Sequence, residues 1–351
     1  MGITALTIGN QRIGLGAPVL VIAEAGVNHN GDMELAKQLI DRAAEAGADA
    51  VKFQTFKAER VATPDAPKAV YQLQTTAAAE SQLDMLHRLE LAPKAYRELQ
   101  AYCQQRGVVF LSTPFDEESA DLLDALEVPL FKIASGEITN WPFLEYVARK
   151  GKPLILSTGM SYLSEVDEAV RVIYKAGNDQ LVLLHCVSDY PANPADANLR
   201  AMHTMATALQ VPVGYSDHTP GIAVALAAVA LGACVIEKHF TVDKNLPGPD
   251  HRASLEPSEL RAMITGIRTV EQALGSGTKL PVSSEASNRQ SVRRSLVAAK
   301  DIPIGAILRA DMLTALRPAG GIAPTHLAQV VGQKTKRALG AGQLLTWSDL
   351  A

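Results

Sequence analysis

The sequence predicts an α/β chain: an eight-stranded parallel (β/α)8 barrel followed by a small β-rich domain. Three observations carry this. Eight short apolar runs recur along residues 19–241, nearly all followed by a segment of helical period. Several helical segments end in glycine, as at Gly47, Gly107, Gly151 and Gly177, which fits a left-handed cap before the next strand. Polar residues stand at or near the end of every run, where a parallel barrel builds its catalytic face.

In order, the runs are VLVIAEAG (19–26), AVKFQTF (50–56), VVFLSTPF (108–115), PLFKIASGE (129–137), PLILSTGM (153–160), QLVLLHCVS (180–188), PVGYSDHT (212–219) and CVIEKHFT (234–241). Amphipathic stretches such as MELAKQLIDRAAEAGA and LSEVDEAVRVIYKAG lie between them. The polar ends are Glu24, Lys52 with Gln54, Ser112 with Thr113, Lys132 with Ser135 and Glu137, Ser157 with Thr158, His185 with Ser188, Ser216 with His218, and Glu237 with His239. Turns explain some of these. They do not explain lysines inside apolar runs, because lysine is seldom buried unpaired. A doubly wound open sheet is the alternative. It normally carries a glycine-rich phosphate loop after its first strand, and EAGVNHNG lacks that spacing.

The barrel is expected to occupy residues 1–275, ending with the helical segment before Gly275. SGTKLPVSSEASNRQ is polar and aperiodic, so residues 276–290 read as a linker. Residues 291–351 read as a compact β-rich unit, with strand runs SLVAAKDI and TKRAL and turns IPIG, PAGG and GAGQ. Its core would be small.

The chain has 351 residues, 47% hydrophobic and 20% charged, with a formal net charge of −4. That gives no global basic signal for nucleic acid or an anionic membrane. Cys103, Cys186 and Cys234 form no CxxC pair and read as reduced thiols. No basic segment followed by an apolar run opens the chain, and the alanine-rich run at 222–236 is too short to span a bilayer. A cytoplasmic protein is expected.

His218 in GYSDHTPG and His239 in VIEKHFT end two successive strand-like runs. Either alone is an ordinary rim histidine. Two imidazoles at equivalent strand ends can meet on one divalent ion. Asp217, Lys238 and Asp250 lie close by in sequence and are expected to give the same rim charge of both signs. Such a site suits chemistry on a carbonyl and an anionic partner.

IAEAGVNHNGD, VKFQTF, FLSTPFD, KIASGE, LSTGM, LHCVSDYP, GYSDHT, EKHFT and PGPDH occur in this order. The set resembles the sialic acid synthases, and residues 291–351 resemble their antifreeze-like (SAF) domain. The resemblance runs from about residue 19 to the end. It implies condensation of phosphoenolpyruvate with an N-acylated mannosamine-type sugar. The product would be a nine-carbon 2-keto acid, with release of phosphate. It also implies a divalent metal, Mn²⁺ first with Mg²⁺ or Co²⁺ as alternatives. A domain-swapped homodimer is implied too, in which one chain's small domain covers the other's barrel.

Position by position, the resemblance assigns His218 and His239 to the metal. It assigns Lys52, Lys132, Ser135, Ser157, Gly159, Ser188 and Ser216 to phosphoenolpyruvate. Glu24 and Glu137 become catalytic candidates, and Gln54, Tyr190 and Asp250 surround the sugar. Arg317 in LRPAGG matches the arginine that the partner's small domain inserts against the N-acyl group. Two departures stand out. Some relatives carry Asn at Ser188, and YQLQTTAAAES has Gln74 and Thr75 where relatives carry an Asn.

These residue types suit the chemistry. Lysines and hydroxyls can replace the water lost by a carboxylate and a phosphate. A metal on two histidines, with no cysteine to help, keeps open positions and fits an exchangeable ion better than a structural zinc. Glu24 or Glu137 could stabilise a cation at C2 or accept a proton from water. His29 is left open between loop structure and substrate contact. A metal-dependent barrel hydrolase would carry an HxH pair in the first strand, where EAGVNH stands instead. A non-enzymatic ice- or glycan-binding protein would want a flat apolar face. The C-terminal unit carries Lys300, Asp301, Arg309 and Asp311 among other charges. Sialic and legionaminic acid synthases share most of these motifs. The sequence leans slightly towards N-acetylmannosamine over 2,4-diacetamido-2,4,6-trideoxymannose.

Overall fold

The predicted strands form because their residues can be buried on both faces, as a barrel with an outer helical layer demands. A computed structural model describes residues 6–8, 11–14, 16–76 and 80–351. Two short strands, β1 (Leu6–Ile8) and β2 (Gln11–Ile13), pair antiparallel. Eight parallel strands follow: β3 (Leu20–Gly26), β4 (Ala50–Thr55), β5 (Val109–Pro114), β6 (Phe131–Ile133), β7 (Leu154–Ser157), β8 (Leu181–Cys186), β9 (Val213–Asp217) and β10 (Val235–His239). Their order is β5-β4-β3-β10-β9-β8-β7-β6, an eight-stranded, near-closed barrel. The (β/α)8 prediction holds.

Period-two alternation explains what the barrel encloses. On β3, Leu20 and Ile22 pack in one apolar cluster, while Val21 and Ala23 join the larger cluster beneath the helices. The first cluster continues through Ala50, Leu111, Leu130, Ile155, Val182, Leu184 and Val235, one or more from most strands. It fills the barrel towards the amino ends of the strands. Two residues further along the same faces stand Glu24, Lys52, Thr113, Lys132, Ser157, Cys186 and Glu237. An apolar floor thus passes into a polar mouth within one step of the repeat. Truncating a floor residue such as Leu184 to Ala would cost about 2–5 kcal/mol and loosen what stands above it.

The helices close this layer in the expected way. Met33–Ala46 starts where the Asp32 carboxylate accepts the Glu34 and Leu35 amides, and it buries Ala36, Leu39, Ile40 and Ala43. It stops at Gly47, whose φ of 91° is left-handed and lets its amide cap the last turn. The glycines predicted to end helices, at 107, 151 and 177, also have positive φ. All three cysteines are buried and free. Among the described residues, no helix is long and apolar enough to cross a membrane.

The chain divides into two compact units, residues 1–275 and 276–351. In the second, β11 (Ser295–Ala298) pairs antiparallel with β12 (Leu313–Leu316). Leu296, Ile302, Leu308, Ile322, Leu339 and Leu345 belong to its small apolar core. Two local expectations differ. TKRAL contributes only isolated bridges, Thr335↔Leu350 and Ile302↔Leu339, because short turns interrupt every potential ladder. The polar stretch 276–290 is not featureless. It holds the turn Ser283–Glu285 and the first residues of the helix Ala286–Val292.

Candidate active site

The polar ends of the barrel strands enclose a cavity of about 280 Å³. Glu24, Lys52, Gln54, Lys132, Ser135, Ser157, Ser188, Tyr190, Ser216, His218 and His239 line it, eleven of the residues singled out in the sequence. Strand pairing brings them together. Glu24 is the register partner of Lys52 on one side and of His239 on the other. Ser216 pairs with Glu237.

Four buried charges sit at its base. Lys52 Nζ lies 2.6 Å from Glu24 Oε2 and 3.6 Å from Glu237 Oε2. Lys132 Nζ lies 3.6 Å from Glu237 Oε1. Hydroxyls complete the set: Lys52 donates to Thr113 Oγ1 at 2.9 Å, Lys132 to Ser157 Oγ at 2.8 Å, and Ser216 to Glu237 Oε1 at 2.9 Å. The two carboxylates differ. Burial raises Glu24 to about 7, because Lys52 offsets only part of its desolvation and Glu237 repels it. Burial would also raise Glu237, but both lysines overcome that and hold it at about 2. For Lys52, the two carboxylates outweigh burial and raise its pKa, whereas burial lowers that of Lys132.

The histidines face each other at the rim, with ring centroids 5.5 Å apart. His218 Nδ1 lies 2.6 Å from the Val187 carbonyl. A carbonyl only accepts, so Nδ1 carries the proton and Nε2 offers a lone pair. His239 Nδ1 is buried, has no hydrogen-bond partner among the described residues, and lies 3.9 Å from Asp250 Oδ2. Burial lowers the pKa of both histidines, so both are neutral and can act as ligands. The donor set therefore fits a divalent ion: two imidazole lone pairs with carboxylates nearby. Tyr190 packs on both rings, with centroids 4.2 Å from His218 and 5.5 Å from His239.

Other predicted residues lie differently. Gly159 is not among the cavity-lining residues: a Cβ there would lie 2.2 Å from Ser188 Oγ, and its amide donates to Ser135 Oγ at 3.0 Å. Asp250 is buried beside His239, and burial raises it to about 6. Glu137 is not among the cavity-lining residues. Its carboxylate accepts the Asn140 side chain at 2.7 Å, in the turn before the helix Trp141–Ala148. His29 is also outside the lining, its Nδ1 accepting the Gly31 amide at 3.0 Å, which favours the loop-structure reading. Asp217 and Lys238 do not join the rim. They pair with each other on the opposite strand face at 2.7 Å. Thr75 Oγ1 lies 3.4 Å from the Pro249 carbonyl, and the Gln74 side chain lies outside the described residues. Arg317 is exposed in the second unit.

Glu237 and Tyr71 were assigned no role from the sequence. Alternation along VIEKH puts Glu237 on the face of His239, so that signal was available. Tyr71 comes from the helix Val70–Thr75 and packs on Tyr190 at 5.0 Å, a loop placement no periodicity reveals. Elsewhere among the described residues, Glu59, His87 and Glu90 offer ligand atoms within 4.8 Å of one another, an arrangement able to hold a cation. Lys57 Nζ already sits 2.9 Å from Glu90 there.

Residues 39–279 match the NeuB family model, and residues 293–351 match the SAF domain. The chain belongs to the NeuB family. It is 54% identical to N,N'-diacetyllegionaminic acid synthase of Campylobacter jejuni, over 90% of this chain and 95% of that protein. It is 48% identical to the enzyme of the same name from Legionella pneumophila, over 100% and 99% of the two chains. A solved N-acetylneuraminic acid synthetase from Leptospira borgpetersenii, in complex with citrate, superposes with a TM-score of 0.72 at 38% identity. It covers 82% of this chain and 95% of its own. The C-terminal unit of this NeuB-family enzyme is accordingly a SAF domain.

Proposed function

We propose that this NeuB-family enzyme condenses phosphoenolpyruvate with an N-acylated mannosamine-type sugar and water, giving a nine-carbon 2-keto acid and phosphate. The supporting observation is the convergence of Lys52, Lys132 and four serines on one cavity beside His218 and His239. A buried site with two lysines and directional hydroxyls suits a ligand carrying both a carboxylate and a phosphate. Lys52, Lys132, Ser135, Ser157, Ser188 and Ser216 hold that ligand, and Gly159 leaves room for the Ser188, Ser135 and Cys186 side chains that crowd its α-carbon.

C3 of phosphoenolpyruvate forms a bond to the sugar's aldehyde carbon, and the aldehyde oxygen takes up a proton. A divalent ion on His218 and His239, Mn²⁺ first, supplies Lewis-acid polarisation of that aldehyde. C2 is left as an oxocarbenium-like centre. Water adds there, its proton passes to Glu24, and the C2–O bond to phosphate breaks to leave the ketone. Glu24 suits this role better than Glu137 because it lines the cavity and is poised to titrate near neutrality. Ionised Glu237 stabilises positive charge developing nearby. Gln54, Tyr190 and Asp250 surround the sugar. In a homodimer, Arg317 of one chain's SAF domain reaches the N-acyl oxygen in the other chain's barrel. A cytoplasmic enzyme of sugar-acid biosynthesis fits this chemistry.

Between the two sugars, the relatives tip the order opposite to the sequence motifs. The two legionaminic-type enzymes are 54% and 48% identical, whereas the human N-acetylneuraminate-9-phosphate synthase is 39% identical. We therefore favour 2,4-diacetamido-2,4,6-trideoxymannose over N-acetylmannosamine. Side-by-side turnover with phosphoenolpyruvate and Mn²⁺ tests this. The expected result is one phosphate and one keto acid per sugar, faster with the diacetamido sugar. Faster turnover of N-acetylmannosamine would reverse the choice, and no phosphate with either would overturn the function.

A further inference from the structure

His218 and His239 are held in different ways. The ring of His218 is fixed from behind by the Val187 carbonyl. The ring of His239 is held less closely: its Nδ1 lacks a hydrogen-bond partner among the described residues, and Asp250 Oδ2 stands 3.9 Å away, beyond hydrogen-bond reach. Metal-binding histidines ordinarily have an outer partner that fixes their orientation. Without one, the position of His239 depends on its backbone and on packing.

That backbone is tied down on the far side of the sheet. Lys238, next to His239, is the register partner of Asp217, next to His218. The side chains of Lys238 and Asp217 are wholly buried. Lys238 Nζ lies 2.7 Å from Asp217 Oδ2 and also donates to the Thr219 carbonyl. The other Asp217 oxygen accepts the Thr219 amide at 2.9 Å and the Thr219 hydroxyl at 2.7 Å. Both residues flanking His218 are therefore bound to the residue preceding His239. Alternation points these groups away from the cavity and the histidines into it. The arrangement fixes the spacing of the two imidazoles from behind without touching any ligand.

We propose that the buried Asp217–Lys238–Thr219 clamp is a positioning element that sets the separation of His218 and His239 for a divalent cation. This rests on the reading of those histidines as metal ligands. A purely structural pair would add only to folding stability. Desolvation offsets much of the attraction in a buried ion pair, so stability and geometry are separate roles that separate measurements can read.

The two roles separate in the double variant Asp217→Leu/Lys238→Met, which removes both charges and keeps the packing volume. Mn²⁺ binding to the full-length protein is followed by the EPR signal of free Mn²⁺, with thermal unfolding of the metal-free protein recorded alongside. The expected result is a metal-free protein that still folds, with a lower unfolding temperature because the buried Thr219 amide, hydroxyl and carbonyl lose their partners, and Mn²⁺ affinity about 10- to 100-fold weaker, as for loss of an outer partner. Unchanged Mn²⁺ affinity in the folded double variant overturns the clamp. If that variant does not fold, Thr219→Val decides. It keeps both charges but removes one hydrogen bond into Asp217, and it should weaken Mn²⁺ several-fold; unchanged affinity overturns the proposal. His218→Ala and His239→Ala are the controls for the underlying reading. Both should lose Mn²⁺ binding, and if both bind as the unaltered chain does, the metal reading fails first and the clamp falls with it.

Discussion

Lys52 and Glu24 are register partners on adjacent strands, and their side chains meet at 2.6 Å in the closed base of the barrel mouth. The pair is one half of a four-charge cluster completed by Glu237 and Lys132. Neither lysine is a free cation waiting for an anion. Each is held by a buried carboxylate, so an incoming anion finds donors already aimed and largely desolvated. This preorganisation reduces the desolvation and ordering that binding must overcome.

The cluster makes the two lysines unequal. Lys52→Ala would leave Glu24 and Glu237 facing each other, whereas Lys132→Ala would leave Glu237 still paired with Lys52. Both should weaken phosphoenolpyruvate binding by about 2–4 kcal/mol, the usual loss for a buried charge-assisted contact. Lys52→Ala should also unfold at the lower temperature of the two, because an uncompensated buried charge is costly. Calorimetric titration and thermal melts measure both effects. Unchanged affinity in both variants would move the anion site elsewhere.

Glu24 gives the binding a pH signature. Its carboxyl titrates at about 7, so it is neutral below that pH and charged above it. The neutral form repels an anion less. Phosphoenolpyruvate affinity should therefore rise as pH falls through 7, and binding near pH 7 should take up a proton. Turnover should move the opposite way, because a protonated Glu24 cannot accept a proton from water. Calorimetry in buffers of different ionisation enthalpy measures the uptake, and Glu24→Gln should abolish it. Proton release on binding would contradict this account.

The sequence revealed more of the barrel than of the loops above it, for a physical reason. Strand faces obey a period of two, so Lys52, Lys132, Ser157, Ser216 and His218 could be assigned to one mouth from spacing alone. The same rule put Glu237 beside His239, and it should have sent Asp217 and Lys238 to the other face rather than to the rim. Glu137 follows β6 in a turn, where alternation no longer applies, and its carboxylate accepts from Asn140. Tyr71 reaches the cavity from a short helix after β4, a route set by tertiary packing. In the C-terminal unit, apolar runs were legible, but bridges of one residue pair leave little periodic trace.

Bond cleavage offers a test independent of any variant. If C2 becomes electrophilic and water adds there, the reaction in H₂¹⁸O should place label on C2 of the keto acid before exchange, and none in the phosphate. Mass spectrometry of both products reads this directly. Label in the phosphate would mean attack at phosphorus, leaving Glu24 without a water to deprotonate.

The SAF domain carries the last prediction. Arg317 is exposed, and among the described residues it makes no hydrogen bond or ion pair. A guanidinium suits an amide oxygen through its planar donors. If Arg317 serves the barrel of a partner chain, mixing an Arg317→Ala chain with a Glu24→Ala chain becomes informative. In a mixed dimer one site carries both defects and the other carries neither. After subunit exchange of equal amounts, about a quarter of all sites should be intact, because half the dimers are mixed and each has one good site. Activity should return in the mixture although neither parent has it. Were Arg317 to act within its own chain, every site would keep one defect and no activity would return. Light scattering comes first: a monomer at assay concentration would already exclude action across chains.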